Sequence, residues 1–279
     1  CIIVGPTIPS STRRRSGSRG VWLAEGCLKH AVILALEART YTQRSPMDPR
    51  GSPEDDGGGE GSASLSSCSS SYFRSNTMLI KQSDYHRIYR VINSLLLNEN
   101  ADPATASMYF STFGAFILEH HYKVKAKPKG GLAAYNLGGT MLLFADHRED
   151  GHVTGAGENF HCWVEADGWA IDFMAPAFPQ AADGLSVPPK MFQKPLSSMA
   201  SSINDLAQSG DFFFKHEAEA MAQRFADWRK HGMIGDLASI AAGWFRKSPK
   251  QMRSEISVND SNGKSRTIPL AGNMLNGAW

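Results

Sequence analysis

The 279-residue chain has no apolar run near the roughly 18 residues that a helical membrane span requires. A helical span is thereby excluded, and a soluble, cytoplasmic protein that does not act on membranes is expected. Cysteine is scarce: only Cys1, Cys27, Cys68 and Cys162 occur, three of them before residue 78. The remainder holds a single thiol, so no disulfide framework can staple its core, which fits a reducing compartment. Charge of one sign is lacking as well. Lys+Arg total 29 and Asp+Glu 27, and nine of the former and seven of the latter precede Met78, so the rest of the chain is balanced. No nucleic-acid-binding face is indicated. There is no phosphate-binding glycine loop either, because Gly138-Gly139 and Gly155-x-Gly157 lack a strand–turn–helix setting.

What is present divides near residue 78. Residues 1–77 are rich in Ser, Gly, Arg and Pro, as in RRRSGSRG and SPEDDGGGEGSASLSSCSSS. Such segments bury too little apolar surface to offset chain entropy, so 1–77 is expected to be a disordered or non-native extension. Its one helical stretch, 21–38, follows Arg13, Arg14, Arg15 and Arg19, but Glu25, Lys29 and Glu37 interrupt it, which argues against a signal peptide. Met78 reads as a natural start, and 78–279 as one domain. There Ile80, Tyr85, Ile88, Tyr89, Ile92 and Leu96 recur at helical spacing, with Ser83-Asp84 as the expected N-cap. A second, largely buried helix is expected over 107–122, with Gly114 marking a close approach or a kink.

Strands are expected over 123–147, broken at Lys129-Gly130-Gly131 and Gly138-Gly139. Lys123, Lys125, Lys127 and Lys129 alternate as the solvated face of an edge strand would. The Pro-rich stretch 178–198 reads as loop. Two further helices and a hairpin turning at Asn262-Gly263 complete the chain. Trp228, Trp244 and Phe245 fall at helical spacing and read as core. Helices, then strands, then helices imply an α+β fold with an antiparallel sheet.

The most informative stretch is FHCWVEADGWAIDFMAP, residues 160–176. Asp167-Gly168 between apolar runs signals a two-residue hairpin, in which Ala166 faces Trp169 and Trp163 faces Asp172. Alternation then puts His161, Trp163 and Asp172 on one face, with His161 and Asp172 as diagonal neighbours. A carboxylate there would fix the imidazole tautomer and stabilise its protonated form. Cys162 points to the opposite face and reads as a small buried hydrophobe.

The pattern H-x-W-V-E-x-x-G-W-x-x-D resembles the His and Asp segments of transglutaminase-like proteins in the papain-like superfamily, including a bacterial family of unknown function within it. The resemblance covers about residues 78–279. It implies a buried helix packed on an antiparallel sheet, followed by C-terminal helices. It also implies a cysteine-peptidase-like hydrolase or acyl-transferase of amide bonds, with His161 as base and Asp172 as orienter. The nucleophilic Cys of the family would open the helix before the sheet, where a helix N-terminus lowers a thiol pKa. Here that place holds Ser107. A hydroxyl is a weaker acid and needs full base assistance and an oxyanion hole. Ser107 can equally be an N-cap, and Ser111 is a second, interior candidate. The N–H groups of Ser107 and Met108, with Gln82 or Asn159, are open as oxyanion donors.

Two other classes of function stay open. A pseudoenzyme would keep the fold as a ligand- or protein-binding module after losing the thiol. A metal site would draw on His120, His121, His147, His152 and His161 with Asp146 and Glu149, but their spacing matches no zinc pattern. No cofactor and no metal are therefore expected, and the substrate is a small molecule, peptide or protein that the sequence does not specify.

Overall fold

A computed structural model describes residues 2–4, 78–147, 152–182, 186–259 and 263–279. Apart from residues 2–4, the expected extension over 1–77, with its helix over 21–38, lies outside the described residues, as does the tip of the last hairpin at Asn262. The architecture is mixed α/β, a curled antiparallel sheet with helices packed against it.

A short strand β1 (Ile2–Val4) pairs with the sheet, and helix α1 (Gln82–Asn98) opens the body of the domain. Its apolar stripe of Tyr85, Ile88, Tyr89, Ile92, Leu95 and Leu96 is buried, as the spacing requires. Its N-cap is Lys81 rather than the expected Ser83-Asp84, and no side chain caps it. Asp84 lies in the first turn, where Tyr122 Oη and Ser248 N donate to its carboxylate at 2.6 and 2.8 Å. Beyond the C-cap Glu99, Asn100 takes a left-handed φ of 55° that stops the helix. Asn100 N donates to Leu97 O and Ala101 N to Leu96 O, the paired bonds that close a helix C-terminus.

Helix α2 (Ser107–Tyr122) buries Phe110, Phe113, Ile117 and Leu118, while Phe116 faces solvent at 37% exposure. Gly114 marks a close approach. A Cβ there would enter the ring of Phe173.

Strand β2 (Ala126–Asn136) is central and runs unbroken through Gly130-Gly131, contrary to the expected break. Both glycines answer to packing: a Cβ on Gly130 would lie 2.9 Å from Cys162 Sγ, and one on Gly131 would strike the Lys215 carbonyl. The Lys row is a sheet edge only over the first half of β2, which pairs with His161–Ala166, whereas the second half pairs with both Met141–Phe144 and Phe212–His216. Pro128 falls in that singly paired half, where a missing N–H costs nothing. Strand β3 (Met141–Phe144) follows, then the two-residue strands β4 (Asp146–His147) and β5 (Val153–Thr154), which pair with each other.

Strands β6 (His161–Ala166) and β7 (Trp169–Asp172) form the hairpin, in the register Ala166↔Trp169. Asp167 and Gly168 take positive φ values of 46° and 79°, the conformation that makes Asp-Gly a hairpin turn. Helix α3 (Phe178–Ala181) is one turn, and β8 (Phe192–Pro195) pairs with β7. Strand β9 (Phe212–His216) pairs with β2. The order across the sheet is β1-β3-β2-β6-β7-β8, with β9 on β2.

Helices α4 (Ala218–Trp228) and α5 (Ile234–Trp244) follow, then the hairpin β10 (Glu255–Asn259) and β11 (Ser265–Pro269). Trp228, Trp244 and Phe245 are buried.

Candidate active site

The sheet sorts the candidate residues by face. Gly131 pairs with His161 and Lys129 with Trp163, so Ala133 and Tyr135 of β2 share the His161 face. That face is an aromatic interior. Phe144 stacks on the His161 ring at 4.0 Å between centroids, and Tyr135 and Phe178 pack edgewise and tilted against it. Trp163 stacks on Phe214 at 4.3 Å.

His161 and Asp172 meet on this face. His161 Nε2 lies 2.7 Å from Asp172 Oδ2, and each residue is 1% exposed. Two more donors hold the carboxylate: Tyr135 Oη reaches Oδ2 at 2.6 Å and Met174 N reaches Oδ1 at 2.8 Å. Tyr85 Oη donates to the Asp172 carbonyl. Burial, and then the Asp172 charge, hold both tyrosine pKa values well above the ordinary range. They therefore stay neutral donors at any physiological pH. With Nε2 committed to Asp172, Nδ1 is the imidazole nitrogen left for a reacting group.

Ser107 is the first residue of α2, and Ala106 is the N-cap, so the N-cap reading of Ser107 is set aside. Ser107 is buried, 5% exposed, and lies beside Cys162 on the other face of β6. The Cys162 thiol sits between Ser107 and Ser111, one turn apart on α2. Burial raises its pKa from an ordinary value of about 9 to about 12, outweighing the nearby Ser111 and Ser107 hydroxyls, which lower it. Cys162 is therefore an inert buried thiol. Among the described residues no hydrogen bond joins Ser107 to His161. The structure thus brings two of the three candidate residues together and directs the third to a different partner.

The other candidates are spread out. Gln82 is exposed at the start of α1, and Asn159 Nδ2 donates to Asp146 Oδ1 at 2.8 Å. His121 bonds the Ala242 carbonyl at 2.8 Å, and among the described residues no three His, Cys, Asp or Glu are placed to hold a metal ion.

Sequence reasoning missed Tyr135, Tyr85 and Phe144. Tyr135 was detectable in principle, since a tyrosine in the apolar run GGLAAYN needs a partner for its hydroxyl. Knowing that Asp172 is the partner requires the β2–β6 register.

Comparison with known proteins now adds a lineage. The profile of a family described as "Protein of unknown function (DUF2026)" matches residues 81–279. The chain belongs to the DUF2026 family. A solved chain described as "The crystal structure of genomics APC5867" is 76% identical to it. The match covers 72% of this chain and 98% of that one, with a TM-score of 0.69. No curated protein matches. The matched DUF2026 segment contains Ser107, Tyr135, His161 and Asp172.

Proposed function

We propose that the DUF2026 domain is an acyl-transfer domain of the papain-like, transglutaminase-like kind, an amide-bond hydrolase or acyl-transferase. His161 is its base, Asp172 its orienter and Ser107 its nucleophile. The observation that carries this reading is the 2.7 Å contact of His161 Nε2 with a carboxylate held by two further donors. A buried pair of this kind is a poor device for stability, since desolvation offsets its Coulomb gain. It is a good device for fixing one imidazole tautomer with Nδ1 as acceptor.

In the reaction Ser107 Oγ attacks the carbonyl carbon while His161 Nδ1 takes the hydroxyl proton. The tetrahedral oxyanion collapses, the C–N bond breaks, and the amine leaves with the proton from His161. Water or an amine then repeats both steps on the acyl-serine and restores the enzyme. Ser107 and His161 stand on opposite faces of β6, so this step requires α2 to shift against the hairpin, beyond a side-chain rotation.

The second reading, a binding module that has lost catalysis, draws on the Ser107–Cys162 contact and the closed aromatic cover over His161. Ser107→Cys separates the two. On the acyl-transfer reading, peptide mass spectrometry finds iodoacetamide alkylation at position 107 at neutral pH. That labelling is lost when His161→Gln is added. A thiol at 107 that titrates near the free value of about 8.5 sinks the catalytic reading and leaves the binding module.

A further inference from the structure

A second site stands on the outer face of α1, apart from the His161–Asp172 pair. Ser83, His86, Arg87 and Arg90 fall at helical spacing and line one wall of a cavity of about 430 Å3, with Ser254 and Leu270 on the other wall. The cavity has the size of a small-molecule pocket, and no carboxylate lines it. The nearest acid in sequence, Asp84, is committed to Tyr122 and Ser248.

Among the described residues both guanidiniums are held only by carbonyl groups. Arg87 Nη1 donates to the Arg246 and Lys250 carbonyls at 2.9 and 2.8 Å, and Arg90 Nη2 to the Leu270 carbonyl at 2.8 Å. Neither arginine takes part in an ion pair of the described residues. Arg90 Nε is buried and has no hydrogen-bond partner. The segment 246–253 that Arg87 pins carries Arg246, Lys247, Lys250 and Arg253 and no acid. Two positioned but uncompensated guanidiniums and an orphan buried N–H leave a large unmet demand for negative charge.

We propose that this cavity binds a small anion bearing a phosphoryl or carboxylate group, with the guanidinium N–H groups of Arg87 and Arg90 that the carbonyls leave free as its donors. The ligand is small because the cavity has the volume of a small molecule. His86 completes the polar lining: its Nε2 is engaged with the Asn273 carbonyl at 3.0 Å. Burial first, opposed by that carbonyl and reinforced by the Arg90 charge, lowers its pKa and keeps the ring neutral.

Isothermal titration calorimetry of the full chain at fixed ionic strength tests this, with pyrophosphate and citrate as probes against a chloride blank. Saturable binding of pyrophosphate assigns a phosphoryl ligand, and saturable binding of citrate a carboxylate one. Arg90→Gln is expected to weaken binding by roughly ten- to a hundredfold, the loss of charge-assisted hydrogen bonds. Arg90→Lys, which keeps the charge but loses the planar guanidinium fork, is the second variant should the first fail to fold, and a clear weakening is expected there too. No saturable binding of either probe overturns the proposal, as does unchanged affinity in the variant tested.

Discussion

Neighbouring residues 161 and 162 show how far one step along a strand separates two chemistries. His161 points into the aromatic interior and meets a carboxylate, while Cys162 points at α2 and meets two hydroxyls. The alternation was legible in FHCWVEADGWAID because an Asp-Gly turn sets the register and the register sets the faces. The partner of Ser107 was not legible, because it depends on how α2 docks. Cys162 supports a prediction at this scale. Its thiol holds its proton more tightly in the folded state, so the stability it confers is complete below about pH 9 and is lost as pH rises toward about 12. Cys162→Ala removes that dependence. Between those limits, wild-type stability relative to the variant should fall by about 1.4 kcal/mol per pH unit in urea unfolding. Parallel pH curves for the two proteins would refute the assignment.

Elements were legible where a period ran for several turns and hidden where it did not. The stripes of α1, α4 and α5 announced themselves. Strands β8 and β9 did not, since FQKP follows a proline pair and FFFKH runs straight into a helical pattern. The break expected at Gly130-Gly131 was a misreading of punctuation: these glycines admit Cys162 and the Lys215 carbonyl to the sheet without interrupting it. Gly114 poses a contest between propensity and packing inside α2. Ala favours a helix interior over Gly by about 1 kcal/mol. Here its methyl would enter the buried Phe173 ring, and overpacking costs about 1–3 kcal/mol. Packing should win, so Gly114→Ala is expected to lower the urea midpoint with an unchanged slope. A raised midpoint would show that Phe173 yields freely.

At the scale of the whole molecule, buried polar groups fasten distant segments. Asp84 joins α1 to the end of α2 and to the segment after α5, and Gln193 bonds both backbone groups of Ile80, fixing the approach to α1 against β8. In sequence Asp84 reads as a local cap. Its partners lie 38 and 164 residues away, and no local pattern carries that information. Asp84→Ala leaves Tyr122 Oη and Ser248 N without acceptors, and a loss of about 1–3 kcal/mol is expected in chemical unfolding. A change within about 0.5 kcal/mol, as at an ordinary surface site, would show that solvent replaces Asp84 at no cost.

By itself the sequence determined what short-range geometry controls: the helical stripes, the Asp-Gly hairpin and the shared face of His161 and Asp172. The tertiary structure alone decided that Tyr135 and Met174 complete the hold on Asp172, that Ser107 lies beside Cys162, and that Arg87 and Arg90 face a cavity without a counter-ion. The physical reason is range. Backbone periodicity acts over a few residues, whereas a buried hydrogen bond or an unpaired charge is defined by whichever distant segment packs against it.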